Sequence, residues 1–268
     1  MLADLRSAHT KKWAEILSDS GLEVHVFGLT QAGEEFMNVT LHPGNIARDT
    51  ASAGETSVKK LGYFFELKRL KRLIRKINPD IVHAHYASSY GLLGALAGRK
   101  PYFISVWGSD VVSFPKKSPV HKRMVEYALS RADLVFSTSE FMAEIAQKYT
   151  DKEIVITPFG VDISKFSPAQ EKRSGDTFRI GIIKTLSTSY GQEYLLRAFA
   201  LVKGRLPERK LELEITGSGN DLDKLKSLAN ELGITDSVKF NGYVMQDALP
   251  VVHQNLDIEV YPTVIEET

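Results

Sequence analysis

Phe178-Arg179-Ile180-Gly181-Ile182-Ile183-Lys184 and Leu211-Glu212-Leu213-Glu214-Ile215-Thr216-Gly217-Ser218-Gly219 are two strand-to-loop exits on one chain. The first is an apolar run with a cation at its end. The second alternates apolar and polar residues, as a half-buried strand does, and then breaks into glycines before a helix that opens at Asp221. If the two strands are neighbours in an open parallel sheet, their loops meet at the carboxyl edge, where such sheets bind ligands. Glycine lets the backbone come close, and the first amides of the next helix carry positive partial charge, so a diphosphate suits that hollow. A Gly-x-Gly loop also serves many turns through its backbone angles alone. It is a poor dinucleotide fingerprint here, because Leu222 stands where the third glycine is required. Asp221 and Asp223 spell Asp-x-Asp, but they fall in the first turn of a predicted helix, where the dipole favours carboxylates without any metal.

Outward from this pair the alternation continues. Behind it, strands are predicted over 177–183, 211–216, 237–241 and 257–260, with helices over about 191–204, 221–232 and 246–253. Ahead of it, strands are predicted over Leu22 to Leu29, Phe36 to Leu41, Asp80 to His85, Tyr102 to Val106, Asp133 to Ser137 and Glu153 to Thr157. Helices run from about Thr10 to Ser20, Val58 to Ile77, Ser88 to Gly98 and Glu140 to Tyr149, while Met1 to Asp4 reads as the end of a further strand. This is the pattern of parallel, doubly wound α/β sheets. It is interrupted by Thr157-Pro158-Phe159-Gly160-Val161-Asp162, Phe166-Ser167-Pro168 and the polar run 169–176. The expectation is two Rossmann-like domains, 1–168 with the hinge and 169–268, with a ligand cleft between them.

Bulk composition narrows the function. With 34 Lys+Arg against 33 Asp+Glu over 268 residues, the chain does not have the charge of a nucleic-acid binder. Residues up to Pro168 carry 22 basic and 18 acidic side chains and those after it 12 and 15, so the front is mildly basic and the rear mildly acidic. The absence of cysteine leaves no disulfide framework and no thiolate site, which fits a reducing compartment. No apolar run approaches a membrane span and no signal peptide is visible, so a soluble, cytoplasmic protein is expected.

Helix 58–77 is the most basic segment, with Lys59, Lys60, Lys68, Arg69, Lys71, Arg72, Arg75 and Lys76 against Glu66 alone. With Tyr63, Phe64 and Phe65 near its start it could lie peripherally on an anionic membrane at the inner face. The other reading is the solvated face of a crossover helix, which the core stripe of Leu67, Leu70, Ile74 and Ile77 favours. The loop from Pro43 to Ser57 has no apolar period, and is either near an acceptor or filler. His83 and His85 share one face of their strand, and His85 is expected at its carboxyl end facing the cleft. No third ligand with metal spacing lies nearby, so no metal is expected.

In order and spacing, several segments taken together are specific: Thr157 to Asp162 with Phe166 to Pro168, Ile215 to Gly219, Val238 to Tyr243, and Val260 to Glu267. On these the chain resembles the retaining GT-B glycosyltransferases of glycosyltransferase family 4, which build bacterial glycans from nucleotide sugars. The resemblance implies a GT-B fold with an acceptor-side first domain and a donor-binding second domain. It places Lys184 on the donor diphosphate, Gly181, Gly217 and Gly219 at the donor pocket, and Tyr243 near the nucleotide base. Glu267 matches the first glutamate of the family's Glu-x7-Glu pair and would bind donor sugar or ribose hydroxyls; the second would fall beyond Thr268. The second domain is therefore expected to be incomplete. Tyr190-Gly191 stands where many relatives have Lys-Gly, and Trp107 where many have the histidine of His-Gly-x-Asp.

A tryptophan cannot shuttle a proton, so the polar contact at that loop falls to Ser109, Asp110 or His85, unless the first two merely cap the following turn. His9 and Gly160 complete the acceptor-side candidates, while Lys184, Glu267 and His85 are the catalytic candidates. The implied reaction transfers a sugar from a nucleoside diphosphate sugar to a glycan or lipid-linked acceptor with retention, in cell-surface polysaccharide synthesis and without a cofactor or metal. Two alternatives stay open: a non-catalytic nucleotide-sugar or glycan binding subunit, and a GT-B epimerase. A nicotinamide dehydrogenase is disfavoured by Leu222 and by the lack of an acidic residue at the end of the strand near Phe240.

Overall fold

A computed structural model describes residues 1–46, 57–169 and 175–264. The chain divides into two compact units, Met1–Phe159 and Gly160–Glu267. Residues 160–168, grouped in the sequence with the first domain and its hinge, fall in the second unit.

The first unit opens with α1 (Ala8–Asp19), β1 (Val24–Phe27) and β2 (Val39–His42). Ser7 caps α1 by accepting from the amide of Thr10. The predicted strand 22–29 is trimmed at both ends, and Phe36 is buried in the approach to β2 rather than in it. Leu2 is the strand end expected at the start of the chain: it bridges in parallel to Phe27 on one side and Ala84 on the other. It thereby links the β1–β2 pair to the four-stranded order β3-β4-β5-β6, formed by Val82–His85, Tyr102–Val106, Leu134–Ser137 and Ile154–Ile156. Every pairing is parallel.

Crossover helices cover these strands, as a parallel sheet requires. They are α2 (Ser57–Ile77), α3 (Ser89–Ala97), the single turn α4 (Ser109–Val112), α5 (Pro119–Arg131) and α6 (Glu140–Ala146). Gly94 in α3 is where the sheet comes close, since a Cβ there would overlap the ring of Tyr102, whose hydroxyl donates to the carbonyl of Gly91 at 2.6 Å. In α2, Arg69 does not belong to the solvated basic face. Its guanidinium lies 4.1 Å from the Phe27 ring centroid, pairs with buried Glu66 at 2.7 Å and donates to the Gly28 carbonyl at 2.9 Å. Among the described residues no helix is long and apolar enough to cross a membrane.

The second unit is a four-stranded parallel sheet of order β10-β7-β8-β9, from Ile258–Glu259, Phe178–Ile183, Leu211–Thr216 and Val238–Gly242. Its helices are α7 (Gln192–Arg205), α8 (Leu222–Glu231) and α9 (Leu249–Gln254). The alternation read in 211–216 is real: Leu211, Leu213 and Ile215 are buried against Leu195, Leu196, Phe199 and Leu225. Glu212 and Glu214 take the other face, where Lys239 meets Glu212 at 2.8 Å and Asn241 meets Glu214 at 3.1 Å.

Candidate functional site

The two exits singled out in the sequence are neighbours, because β7 pairs with β8 from Phe178 against Leu211 to Ile183 against Thr216. Their loops continue the ladder past the strand ends. The amide of Lys184 donates to the carbonyl of Thr216, and that of Leu186 to the carbonyl of Ser218, each at 3.0 Å. Both glycines are needed for this approach. A Cβ on Gly217, whose φ is +140°, would overlap the carbonyl oxygen of Lys184, and one on Gly219 would overlap that of Leu186. The amide of Gly217 also reaches the carbonyl of Gly242 at 2.8 Å, which brings in the end of β9 and the exposed Tyr243 behind it.

Lys184 sits at the mouth of this edge with its ammonium 4.8 Å from the Tyr190 ring centroid, a cation–π contact. Tyr190 precedes Gly191, whose φ of +71° leads into α7 and whose missing Cβ leaves room for the carbonyl of Pro262. The loop between β7 and α7 is anchored from three sides. Buried Gln192 donates to the carbonyl of Thr185 at 2.8 Å, Thr188 donates to the carboxylate of Asp221 at 2.8 Å, and the amide of Val264 reaches Ser189 at 3.0 Å. Asp221, one half of the Asp-x-Asp pair, is thus a loop anchor. Just past β10, the hydroxyl of Tyr261 donates to Glu259 at 2.5 Å and His253 pairs with the same carboxylate. Burial, with that carboxylate second, pushes the Tyr261 phenol upward.

Gly181 lies in mid-strand, two register steps before the last pair of the ladder, and a Cβ there would overlap the side chain of Leu256. Its glycine is accounted for by packing. Glu267 lies outside the described residues. Among the described residues, no group of three or more His, Asp or Glu side chains is placed to hold a metal ion.

The acceptor-side candidates lie mainly at the corresponding carboxyl edge of the first unit. His9, at the start of α1, stacks on Phe159 with centroids 4.1 Å apart, and Trp107 at the end of β4 sets its edge against both at 6.1 and 5.2 Å. Burial, with Lys12 adding to it, lowers the His9 imidazole. Gly160 follows with φ +65° as the first residue of the second unit.

His85 does end β3, but it does not look outward as expected. Its ring is 1% exposed, closed over by Trp107 at 4.6 Å, His83 at 4.4 Å and Trp13 at 6.1 Å. Both of its nitrogens are buried without a hydrogen-bond partner in the described structure. Burial drives its imidazole well below the usual range, and that of His83, which meets Ser105 at 2.8 Å, down to about 3.

Asp110 is wholly buried, and its carboxylate accepts from the amides of Ala87 at 2.6 Å, Gly108 at 2.8 Å and Trp107 at 3.2 Å. Asp110 neither faces outward nor caps the turn that follows it: it is the clamp that fixes the preceding Trp107-Gly108 turn, where Gly108 has φ +136°. Burial outweighs these amides and pushes its carboxyl up to about 6. Ser109 pairs its hydroxyl with that of Tyr86. The sequence reading passed over Tyr86, which has φ +87°, a rare backbone state for a bulky residue. It also passed over Phe159 as a ring. No local pattern marks either one.

Residues 1–139 match the family model described as glycosyl transferase 4-like, and residues 164–267 match the one described as glycosyl transferases group 1. The chain belongs to the glycosyltransferase 4-like family. Its D-inositol 3-phosphate glycosyltransferase relative in Corynebacterium jeikeium is 27% identical over 70% of this chain and 51% of its own length. A Mycolicibacterium smegmatis relative, a GDP-mannose-dependent alpha-(1-6)-phosphatidylinositol monomannoside mannosyltransferase, is 27% identical over 72% of this chain and 53% of its own. This glycosyltransferase 4-like chain thus spans about half the length of the curated relatives it matches. The structure of Anabaena HepE in complex with UDP superposes with a TM-score of 0.74 at 16% identity, over 97% of this chain and 71% of that one, which shows the GT-B fold.

Proposed function

We propose that the protein is a retaining hexosyltransferase that moves a sugar from a nucleoside diphosphate sugar to a glycan or lipid-linked acceptor in cell-surface polysaccharide synthesis. The observation that carries this reading is the joint edge of β7 and β8, where two loops meet main chain to main chain at Gly217 and Gly219 and Lys184, at the end of the first, holds its ammonium over the Tyr190 ring. Transfer leaves negative charge on the departing diphosphate. A fixed cation and backbone amides stabilise that charge without reorganising at the moment of reaction. Lys184 and the amides of Ser218 and Gly219 are assigned that role, and Tyr243 the neighbourhood of the base. The anion is held without a metal in this reading, since Asp221 is already engaged by Thr188.

The names of the relatives, with an inositol phosphate and a phosphatidylinositol monomannoside, support a hydroxyl-rich or lipid-linked acceptor. The first-unit edge around His9, Trp107, Ser109 and Phe159 is assigned to it. Incubation with UDP-, GDP- and ADP-hexoses together with hydroxylated acceptors, methyl pyranosides and myo-inositol 1-phosphate among them, followed by nucleoside diphosphate release and NMR of the product's anomeric proton, tests the reading. Release of one diphosphate with the anomeric configuration kept is expected. Binding without release, or a donor epimerised without transfer, would contradict it.

A further inference from the structure

The ammonium of Lys184 rests 4.8 Å from the centroid of the Tyr190 ring, with the loop 185–189 between the two residues. Every residue of that loop is tied down. Thr185 offers its carbonyl to buried Gln192 at 2.8 Å, and Leu186 is buried in the core of the second unit while its amide reaches Ser218 at 3.0 Å. The carbonyl of Ser187 takes the Tyr190 amide at 2.9 Å, Thr188 donates to Asp221 at 2.8 Å, and the carbonyl of Ser189 takes the Val264 amide at 3.0 Å. Behind the ring, Gly191 turns the chain into α7 at φ +71°, and its carbonyl accepts from the amide of Tyr194 at 2.9 Å.

That anchoring fixes the backbone beneath the ring and leaves the lysine to be directed. A lysine carries its charge on a flexible four-carbon stem whose rotamers cost entropy to arrest, so the position of its backbone alone does not aim the ammonium. A cation that stabilises developing negative charge works best when it is already in place and need not reorganise during the reaction. An aromatic face attracts an ammonium through the ring quadrupole and leaves its charge available to an anion. The half-buried Tyr190, held from below by its own loop, meets that requirement.

We propose that Tyr190 is a positioning residue of the donor site: its ring is the platform that aims the Lys184 ammonium at the diphosphate, and its hydroxyl is not required for this. The role deepens the proposed function, since it rests on Lys184 holding a nucleoside diphosphate. Because Tyr190 acts through Lys184, its contribution exists only while Lys184 is present. The platform also ties the exit of β10 to the anion site. A Cβ on Gly191 would overlap the carbonyl of Pro262, so the turn that carries the ring leans on 262–264.

The test has two arms, and the first needs no ligand. In protein carrying isotope-labelled lysine, with the Lys184 signal assigned by its loss in Lys184→Arg, the ring current should displace the ε-methylene protons upfield. Tyr190→Phe should keep that displacement and Tyr190→Leu should lose it. The second arm titrates UDP, GDP and ADP in EDTA, carried far enough to measure the weakened Lys184→Ala complex. Tyr190→Leu should weaken the diphosphate that binds about fivefold, which is ~1 kcal/mol, and Tyr190→Phe should recover most of it. In the Lys184→Ala background, Tyr190→Leu should cost nothing further. Tyr190→Met repeats both arms should Tyr190→Leu unfold. A Lys184 signal indifferent to the ring, a Tyr190→Phe no better than Tyr190→Leu, or the same loss in the Lys184→Ala background, as a merely loosened loop would give, overturns the proposal. Affinity that depends on Lys184 but not on Tyr190 sinks this role alone. No diphosphate bound, or affinity indifferent to Lys184, sinks the donor reading with it.

Discussion

The carboxyl edges of the two units occupy the same topological position and have opposite chemistry. In the second unit the edge is glycine, backbone and one lysine: Gly217 and Gly219 remove side chains so that main chain meets main chain, and Lys184 supplies the charge. In the first unit the edge is rings: His9, Trp107 and Phe159 outside, His83, His85 and Trp13 behind, with the nearby carboxylate turned inward. A parallel sheet provides an edge where loops converge, and the loop residues decide whether it suits an anion or an uncharged, hydroxylated ring.

That contrast can be broken at either end. The largest effect is expected from Lys184→Ala: loss of one contact to developing charge costs about 2.7–4 kcal/mol of barrier, roughly a hundredfold to a thousandfold in turnover. Steady-state rates at saturating donor check it, and normal turnover would remove Lys184 from the site. Next is Gly219→Ala, whose methyl overlaps the Leu186 carbonyl and must force the two loops apart at about 1–3 kcal/mol. The expected outcome is a lower melting temperature together with weaker diphosphate binding, and pyranoside binding by the first unit unchanged.

The first unit should answer to pH instead. The imidazoles of His83 and His85 lie below the ordinary 6.5 when folded, so the unfolded chain binds more protons beneath that value. Stability is therefore fully present above about pH 6.5 and falls as pH drops, by ~1.4 kcal/mol per unit for each ring. For His83 the fall continues toward about 3. Asp110, raised from 3.8 to about 6, has the opposite sign and returns one such slope between those values. Urea denaturation at pH 7.5 and 5.5 should show the loss, and His83→Gln should flatten it. Smallest is Thr188→Ala, which frees Asp221 and should cost about 0.5–1.5 kcal/mol in thermal unfolding.

Much of the fold was legible because it was periodic. Among the described residues, apolar runs broken by glycine and proline located every strand to within a few residues, and the β7–β8 neighbourhood followed from parallel topology. Helix α5 was not read. Its buried Val125, Ala128 and Leu129 are spread among His121, Lys122, Arg123 and Glu126, although Ser118 followed by Pro119 is a start signal that would have marked it. At the sites, glycines and a lysine at strand ends carry local signatures, so the second-unit edge was visible, except that Gly181 serves Leu256. The first-unit edge was visible only in part. Whether Asp110 or His85 faces outward depends on which rings and amides close over it. The positive φ of Tyr86 leaves no trace in composition or period.

The central claim is that the joint edge of β7 and β8 holds a nucleoside diphosphate through Lys184. Thermal unfolding with UDP, GDP and ADP, each with magnesium and with EDTA, tests it most directly. At about 100 times the dissociation constant a bound ligand adds about 2.7 kcal/mol, well within reach of the measurement. The account predicts stabilisation by one diphosphate that survives EDTA and is lost in Lys184→Ala; no stabilisation by any of the three, or a shift indifferent to Lys184, would contradict it.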